Sequence, residues 1–377
     1  MDCSSLFWQY RQRMFCQRRT KSRIAWPASS LLILGLTGCD ASRDHVPNAS
    51  PGAVQSSVGL TLVSRTPGRW ARYRVEGKER PIDVYVAHDD RPKPIVVLLH
   101  GSSCGPDFTV DADKRLHETS VFQDAIGPSL HRAHFAVIER SGVEPLVFEA
   151  GMTQEQKRSA FARAERQCRN AYFFQTATKP IRVTDAVIAI RALKTQPFVR
   201  GVILAGHSEG THVVTGMLRE LTNQEVSAAG LFASAGPIPY FCGYAARGPG
   251  DRERFARLFD QIRMLQQADD DFIWEGLPAR RWKTFWLDST PIEDVRDSTV
   301  PLFVAQGTQD DTTLCADLFA FEAIRQQPKR PLRYVVVDQG NHAFETSDGR
   351  WRIAELFDDF LSWALDANRQ TSVMVLK

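Results

Sequence analysis

The chain has 377 residues, 43% hydrophobic and 24% charged, with a formal net charge of +3. This exceeds the usual domain range of about 100–200 residues, yet α/β folds of such size are commonly single units. The basic excess sits at the amino end, in Arg11, Arg13, Arg18, Arg19, Lys21 and Arg23 against the single acid Asp2; without residues 1–38 the chain is slightly acidic, which excludes a basic nucleic-acid-binding surface.

An apolar run from Ile24 to Leu36 follows the basic residues. It is too short to span a bilayer, which takes about 20 apolar residues, and suits the hydrophobic region of a signal peptide. It ends in Leu36-Thr37-Gly38-Cys39, which resembles the bacterial lipobox. The resemblance implies cleavage after residue 38, lipidation of Cys39 and a lipoprotein tethered in the cell envelope. Asp40 resembles the inner-membrane retention signal of enterobacterial lipoproteins, implying the periplasmic face of that membrane. Met14 is an alternative start that keeps the same leader. Residues 39–57, rich in Ser, Asp, Asn, Pro and Gly, form a flexible tether, and the folded domain is expected over 58–368.

Strand-like runs near 58–64 and 81–87 lead to Pro94-Ile95-Val96-Val97-Leu98-Leu99, a continuous apolar run of the kind buried in a parallel sheet. It opens into His100-Gly101-Ser102-Ser103-Cys104-Gly105, a small loop that can aim backbone N–H groups at a reacting carbonyl. Ser102 is the assigned donor, Gly101 lets the backbone approach, and His100 braces the loop. His131 and His134 form a close pair before a strand at His134–Ile138, and they read as surface histidines rather than a zinc site. Glu144–Pro180 is an expected insertion with a charged helix at about Thr153–Ala171, and Ile181–Leu193 is an apolar-faced helix.

The run Gly201-Val202-Ile203-Leu204-Ala205 meets Gly206-His207-Ser208-Glu209-Gly210. A serine at a sharp strand-to-helix turn has its hydroxyl exposed, and the flanking glycines are needed where backbone meets backbone. The following helix points free N–H groups at the same place, so the Glu209 N–H is the second oxyanion donor. After a strand at Leu231–Ser234, about 236–299 resembles a lid carrying Phe272, Trp274, Trp282, Phe285 and Trp286, either lining an acyl pocket or packing as the lid's own core.

Pro301-Leu302-Phe303-Val304-Ala305-Gln306 opens into Gly307-Thr308-Gln309-Asp310-Asp311. A carboxylate at such a strand end can orient an imidazole. Asp310 is the assigned acid and Asp311 the alternative; the unused one would cap a helix starting near Thr312. Leu332–Val337 leads to His342, the assigned base. A helix at Ile353–Ala364 closes the domain and 369–377 is a tail.

Ser208, Asp310 and His342, in that order after buried strands, resemble the α/β-hydrolase superfamily across about 58–368, particularly its esterase, dienelactone-hydrolase and serine-peptidase-like branches. The resemblance implies a central, mostly parallel sheet flanked by helices, a helical lid, and hydrolysis of a small acyl substrate through an acyl-serine. An ester is the expected substrate; amide, peptide or thioester cleavage and a non-catalytic binding role are the alternatives. No cofactor is expected, since the sequence has no Gly-x-Gly-x-x-Gly or Walker loop. With the leader removed and Cys39 lipidated, Cys104, Cys168, Cys242 and Cys315 remain, an even number that permits disulfides without pairing them. A bridge bracing the active-site rim is one expectation, free or buried thiols the other.

Overall fold

A computed structural model describes residues 59–65, 68–77, 80–167, 171–234, 252–274, 276–312 and 315–376. The expected leader, Cys39 and the tether lie outside the described residues, as do Cys168, Cys242 and the start of the expected lid. In chain order the strands are β1 (Leu60–Arg65), β2 (Trp70–Glu76), β3 (Pro81–Ala87), β4 (Lys93–Leu99), β5 (Phe108–Val110), β6 (Leu116–Glu118), β7 (His134–Ile138), β8 (Leu146–Val147), β9 (Val199–His207), β10 (Ala228–Phe232), β11 (Ile273–Trp274), β12 (Leu277–Pro278), β13 (Leu302–Gly307), β14 (Leu332–Val337) and β15 (Ser372–Leu376). Ten of them form one sheet in the order β1-β2-β3-β7-β4-β9-β10-β13-β14-β15. The pairings from β1 through β3 to β7 are antiparallel, and those from β7 to β15 are parallel.

The apolar runs became the middle of this sheet because both its faces are covered. Every residue of β7, β10 and β13 is buried. On one face lie the helices Lys179–Lys194, Glu209–Met217 and Ala316–Gln326, with Val187, Val213 and Phe319 against the sheet. On the other lie Gln123–Ser129 and Ile353–Leu365, where Ile126, Phe357 and Phe360 meet Phe232 and Phe303. Each such phenylalanine contributes roughly 2–3 kcal/mol by leaving water.

Strand β4 pairs with β7 on one side and β9 on the other. The helix between β4 and β7 covers one face and the helix between β7 and β9 covers the opposite one. The chain therefore parts at the carboxyl ends of β4 and β9, where a parallel sheet leaves a crevice. Leu99 and His207 end these strands, so the His100 loop and Ser208 open into it.

Several expectations are corrected. Strand β2 is additional: Arg72 and Arg74 interrupt its apolar pattern, and both reach Asp83 on β3, at 2.6 and 3.0 Å. The segment expected as a tail contributes β15, paired parallel to β14 from Arg333–Ser372 to Val337–Leu376. His134 is fully buried, its Nε2 2.9 Å from the Arg91 carbonyl, whereas His131 is exposed. The helix expected near Thr312 begins at Ala316 with Cys315 as N-cap.

Within the expected lid, the helices Arg252–Gln267 and Ala279–Trp286 flank the β11–β12 hairpin. Its aromatic residues divide. Trp274, Trp282 and Trp286 pack on one another, with Trp282 and Trp286 ring centroids 3.8 Å apart. Phe285 enters the main core beside His212, and Phe272 is exposed. The part after Ala279 is tied to the body: Lys179 donates from its backbone N–H to Thr284 and from Nζ to Asp294, at 3.2 and 2.5 Å.

Candidate active site

Ser208 follows the last residue of β9 and N-caps the helix Glu209–Met217, at φ 56° and ψ −125°. A non-glycine residue held there stores on the order of 1–3 kcal/mol of strain, so its surroundings must hold it. Its N–H donates to the Phe232 carbonyl at 3.0 Å, and its carbonyl accepts from the Thr211 N–H at 3.0 Å and the Thr211 hydroxyl at 2.7 Å. The glycines permit the turn. A Cβ on Gly206 would fall 2.8 Å from the Thr211 nitrogen, and one on Gly210 would strike the Leu99 carbonyl, 2.7 Å from its carbon. Gly101 lies alongside: a Cβ there would be 3.5 Å from Ser208 Oγ.

The loops carrying His342 and Asp310 are joined through their backbones, Thr308 N–H to the Val337 carbonyl at 3.0 Å and Gln309 N–H to the Gly340 carbonyl at 2.9 Å. This brings His342 Nδ1 to 3.1 and 3.0 Å from the two oxygens of Asp310. Of the two aspartates, Asp310 is the one at the histidine. Its carboxylate also accepts from Gln306 Nε2 and from the Thr312 N–H, both at 2.9 Å; three donors on a buried carboxylate favour its ionised form. Asp311 Oδ1 meets the Thr312 hydroxyl at 3.3 Å.

The imidazole of His342 is set beside the elbow by His207, the residue before the serine. The His207 ring lies 4.9 Å from that of His342 by centroids, and its Nε2–H donates to the His342 carbonyl at 2.9 Å. Burial, reinforced by the neighbouring His342, pushes His207 down to about 3. It is thus neutral and adds no charge beside His342.

The loop from His100 to Gly105 is clamped at both ends. Arg182 Nη2 donates to the His100 carbonyl at 2.8 Å, and Arg140 Nη2 to the Gly105 carbonyl at 2.7 Å. His100 lies between two acids, Nδ1 2.7 Å from Asp107 and Nε2 3.3 Å from Glu118, with neither ring nitrogen in hydrogen-bonding geometry. Burial works against an ionised Asp107, but Arg140 and His100 outweigh it and hold its carboxyl below the usual range. Burial lifts Glu118 to about 7 and, with Asp107, lifts Glu139 well above the ordinary range. Between the clamps Ser102 is exposed. Glu209 is the first helical residue, so its N–H has no partner within the helix.

The side chain of Glu209 is gripped by two arginines, Arg182 at 2.6 Å and Arg281 at 2.6 and 2.7 Å. Sequence reasoning missed this shell of Asp107, Glu118, Glu139, Arg140, Arg182 and Arg281. The one local signal is a charged residue within a core-facing segment, as with Arg182 between Ile181 and Val183. Cys104, buried in the loop, and Cys315, just past the Asp310 loop, are each disulfide-bonded. Among the described residues no three His, Cys, Asp or Glu side chains are grouped to hold a metal ion.

No protein-family model matches the sequence, and no curated protein matches it. Solved structures resemble it in fold. Est1E from Butyrivibrio proteoclasticus is 13% identical with a TM-score of 0.48, covering 78% of this chain and 97% of its own. A puromycin-hydrolyzing peptidase from Mycobacterium tuberculosis is 15% identical with a TM-score of 0.49, covering 80% of this chain and 41% of its own. The acylaminoacyl peptidase of Pyrococcus horikoshii is 11% identical with a TM-score of 0.47, covering 81% of this chain and 43% of its own. The order of the sheet, the parting of the chain at β4 and β9, and the strained serine between β9 and its helix make this an α/β-hydrolase fold.

Proposed function

We propose that the protein is a serine hydrolase that cleaves a carboxylic ester through an acyl-serine intermediate. Ser208 Oγ attacks the acyl carbonyl while His342 accepts its proton, and Asp310 orients the imidazole and stabilises its charged form. The N–H groups of Ser102 and Glu209 receive the negative oxygen. The leaving alcohol departs with the proton from His342; water, deprotonated by the same histidine, then releases the acid and restores the serine. The observation that carries this reading is the conjunction of Ser208 in its strained turn with the His342–Asp310 pair held beside it through His207.

A panel of aryl esters of graded acyl length, run beside aminoacyl amides and acyl thioesters, tests the bond. Turnover confined to esters and abolished in Ser208→Ala supports the reading; turnover confined to amides or thioesters replaces it with a peptidase or thioesterase. The lipobox-like Leu36–Cys39 run supports a further element, a lipid on Cys39 that tethers the enzyme to the envelope membrane. Cys39→Ser then moves the protein from the membrane to the soluble fraction, and unchanged fractionation contradicts the tether.

A further inference from the structure

Past the ends of β4 and β7 lies a cavity of about 20 Å³, lined in part by Arg140, Arg182, Glu139, Ser141, Thr176 and Asp185. A single water needs roughly 10–15 Å³. Arg140 and Arg182 are both nine-tenths buried or more, and Arg140 Nη1 has no hydrogen-bond partner among the described residues. A buried guanidinium donor left without an acceptor is costly, so the cavity calls for an acceptor.

We propose that this cavity binds a small monoanion such as chloride, held between Arg140 and Arg182. Charge favours an anion over water. Three guanidiniums, Arg140, Arg182 and Arg281, face the carboxylates of Asp107 and Glu209, while Glu139, 3.6 Å from Arg140 Nε, and Glu118 are pushed toward their neutral forms by burial. Burial pulls Arg182 down to about 10 despite Glu209, with Arg140 and Arg281 adding to the fall, and a bound anion relieves that repulsion. Asp185, the other acid of the lining, is engaged by Arg80 at 3.1 Å. The same two arginines donate to the His100 and Gly105 carbonyls. The anion therefore stiffens both ends of the oxyanion loop, a consequence that rests on the hydrolase reading, whereas binding itself does not.

The test uses the whole protein and its Ser208→Ala variant. Melting is followed against chloride and bromide, with gluconate and sulfate at equal ionic strength as controls, and bromide-soaked crystals are examined for anomalous scattering. A bromide peak between Arg140 and Arg182, with a saturating Tm rise of about 2–4 °C for halides alone, supports the site. A water in the cavity without anomalous signal, or a Tm rise that follows ionic strength whatever the anion, overturns it. In wild type, ester turnover should rise with the same half-saturating chloride concentration; halide binding with no turnover by any ester keeps the site and removes the hydrolase reading instead.

Discussion

Arg281 reaches across from the segment between β10 and β13 and places Nη2 2.6 and 2.7 Å from the two oxygens of Glu209, the residue immediately after Ser208. Its other Nη group donates to the Ala177 carbonyl, and its guanidinium lies 5.0 Å from the Phe285 ring centroid. One side chain thus joins the insertion, the Ala171–Thr176 region and the elbow.

Replacing Arg281 with Met leaves Glu209 with Arg182 alone. Breaking one arm of a buried ion pair costs about 3 kcal/mol, which urea unfolding reads directly. Because the Glu209 N–H is an assigned oxyanion donor, kcat should fall more than KM rises. A variant as stable and as active as wild type would show the pair to be dispensable.

Substitution should separate Asp310 from Asp311. Asp310→Asn lowers kcat by roughly 10⁴-fold, because the amide favours the wrong imidazole tautomer. Asp311→Asn, at an exposed carboxylate that faces Thr312, stays within about twofold of wild type. Ester kinetics on the two variants decide the matter, and equal losses contradict the assignment.

Stability should fall in acid. Burial holds His207 and His212 down to about 3, whereas an unfolded imidazole protonates near 6.5. Between those values the unfolded chain binds more protons, so stability rises with pH there; it is complete above about 6.5 and lost as pH falls toward 3. Glu118, lifted to about 7, acts oppositely, losing its contribution as pH rises from about 4.5 through 7. Urea titrations between pH 4 and 6 should give a slope that drops by about one proton in His212→Asn. A slope unchanged by that substitution contradicts the buried neutral imidazole.

Reduction should damage the site from two sides. Cys104 lies in the loop after β4 and Cys315 follows the loop that carries Asp310, and both are disulfide-bonded. A native disulfide contributes about 2–5 kcal/mol. Incubation with dithiothreitol is expected to lower Tm and ester turnover together, with free thiols appearing on alkylation. Full activity after complete reduction would show that neither bridge holds the loops.

What the sequence made legible follows from burial. β4, β9 and β13 are apolar runs because parallel central strands are covered on both faces, and each runs straight into a glycine-bearing loop, so the His100 loop, the elbow and the Asp310 loop stood out. β2 was hidden because Arg72 and Arg74 alternate with its buried residues and reach a partner strand. β15 was hidden at the sheet edge, where Val373 and Val375 stay exposed. Arg140, Arg182 and Arg281 owe their roles to partners 33, 27 and 72 residues away; no local spacing marks such an ion pair. His134 looked like a surface residue because only the fold supplies its partner, the Arg91 carbonyl.

The most direct test of the central claim is intact-mass analysis after treatment with a fluorophosphonate. An activated serine hydroxyl gives one adduct per chain, mapped by peptide sequencing to Ser208, absent in Ser208→Ala and slowed by orders of magnitude in His342→Ala. An unlabelled wild-type protein, or an adduct that forms at the same rate without His342, would contradict the proposed nucleophile and base.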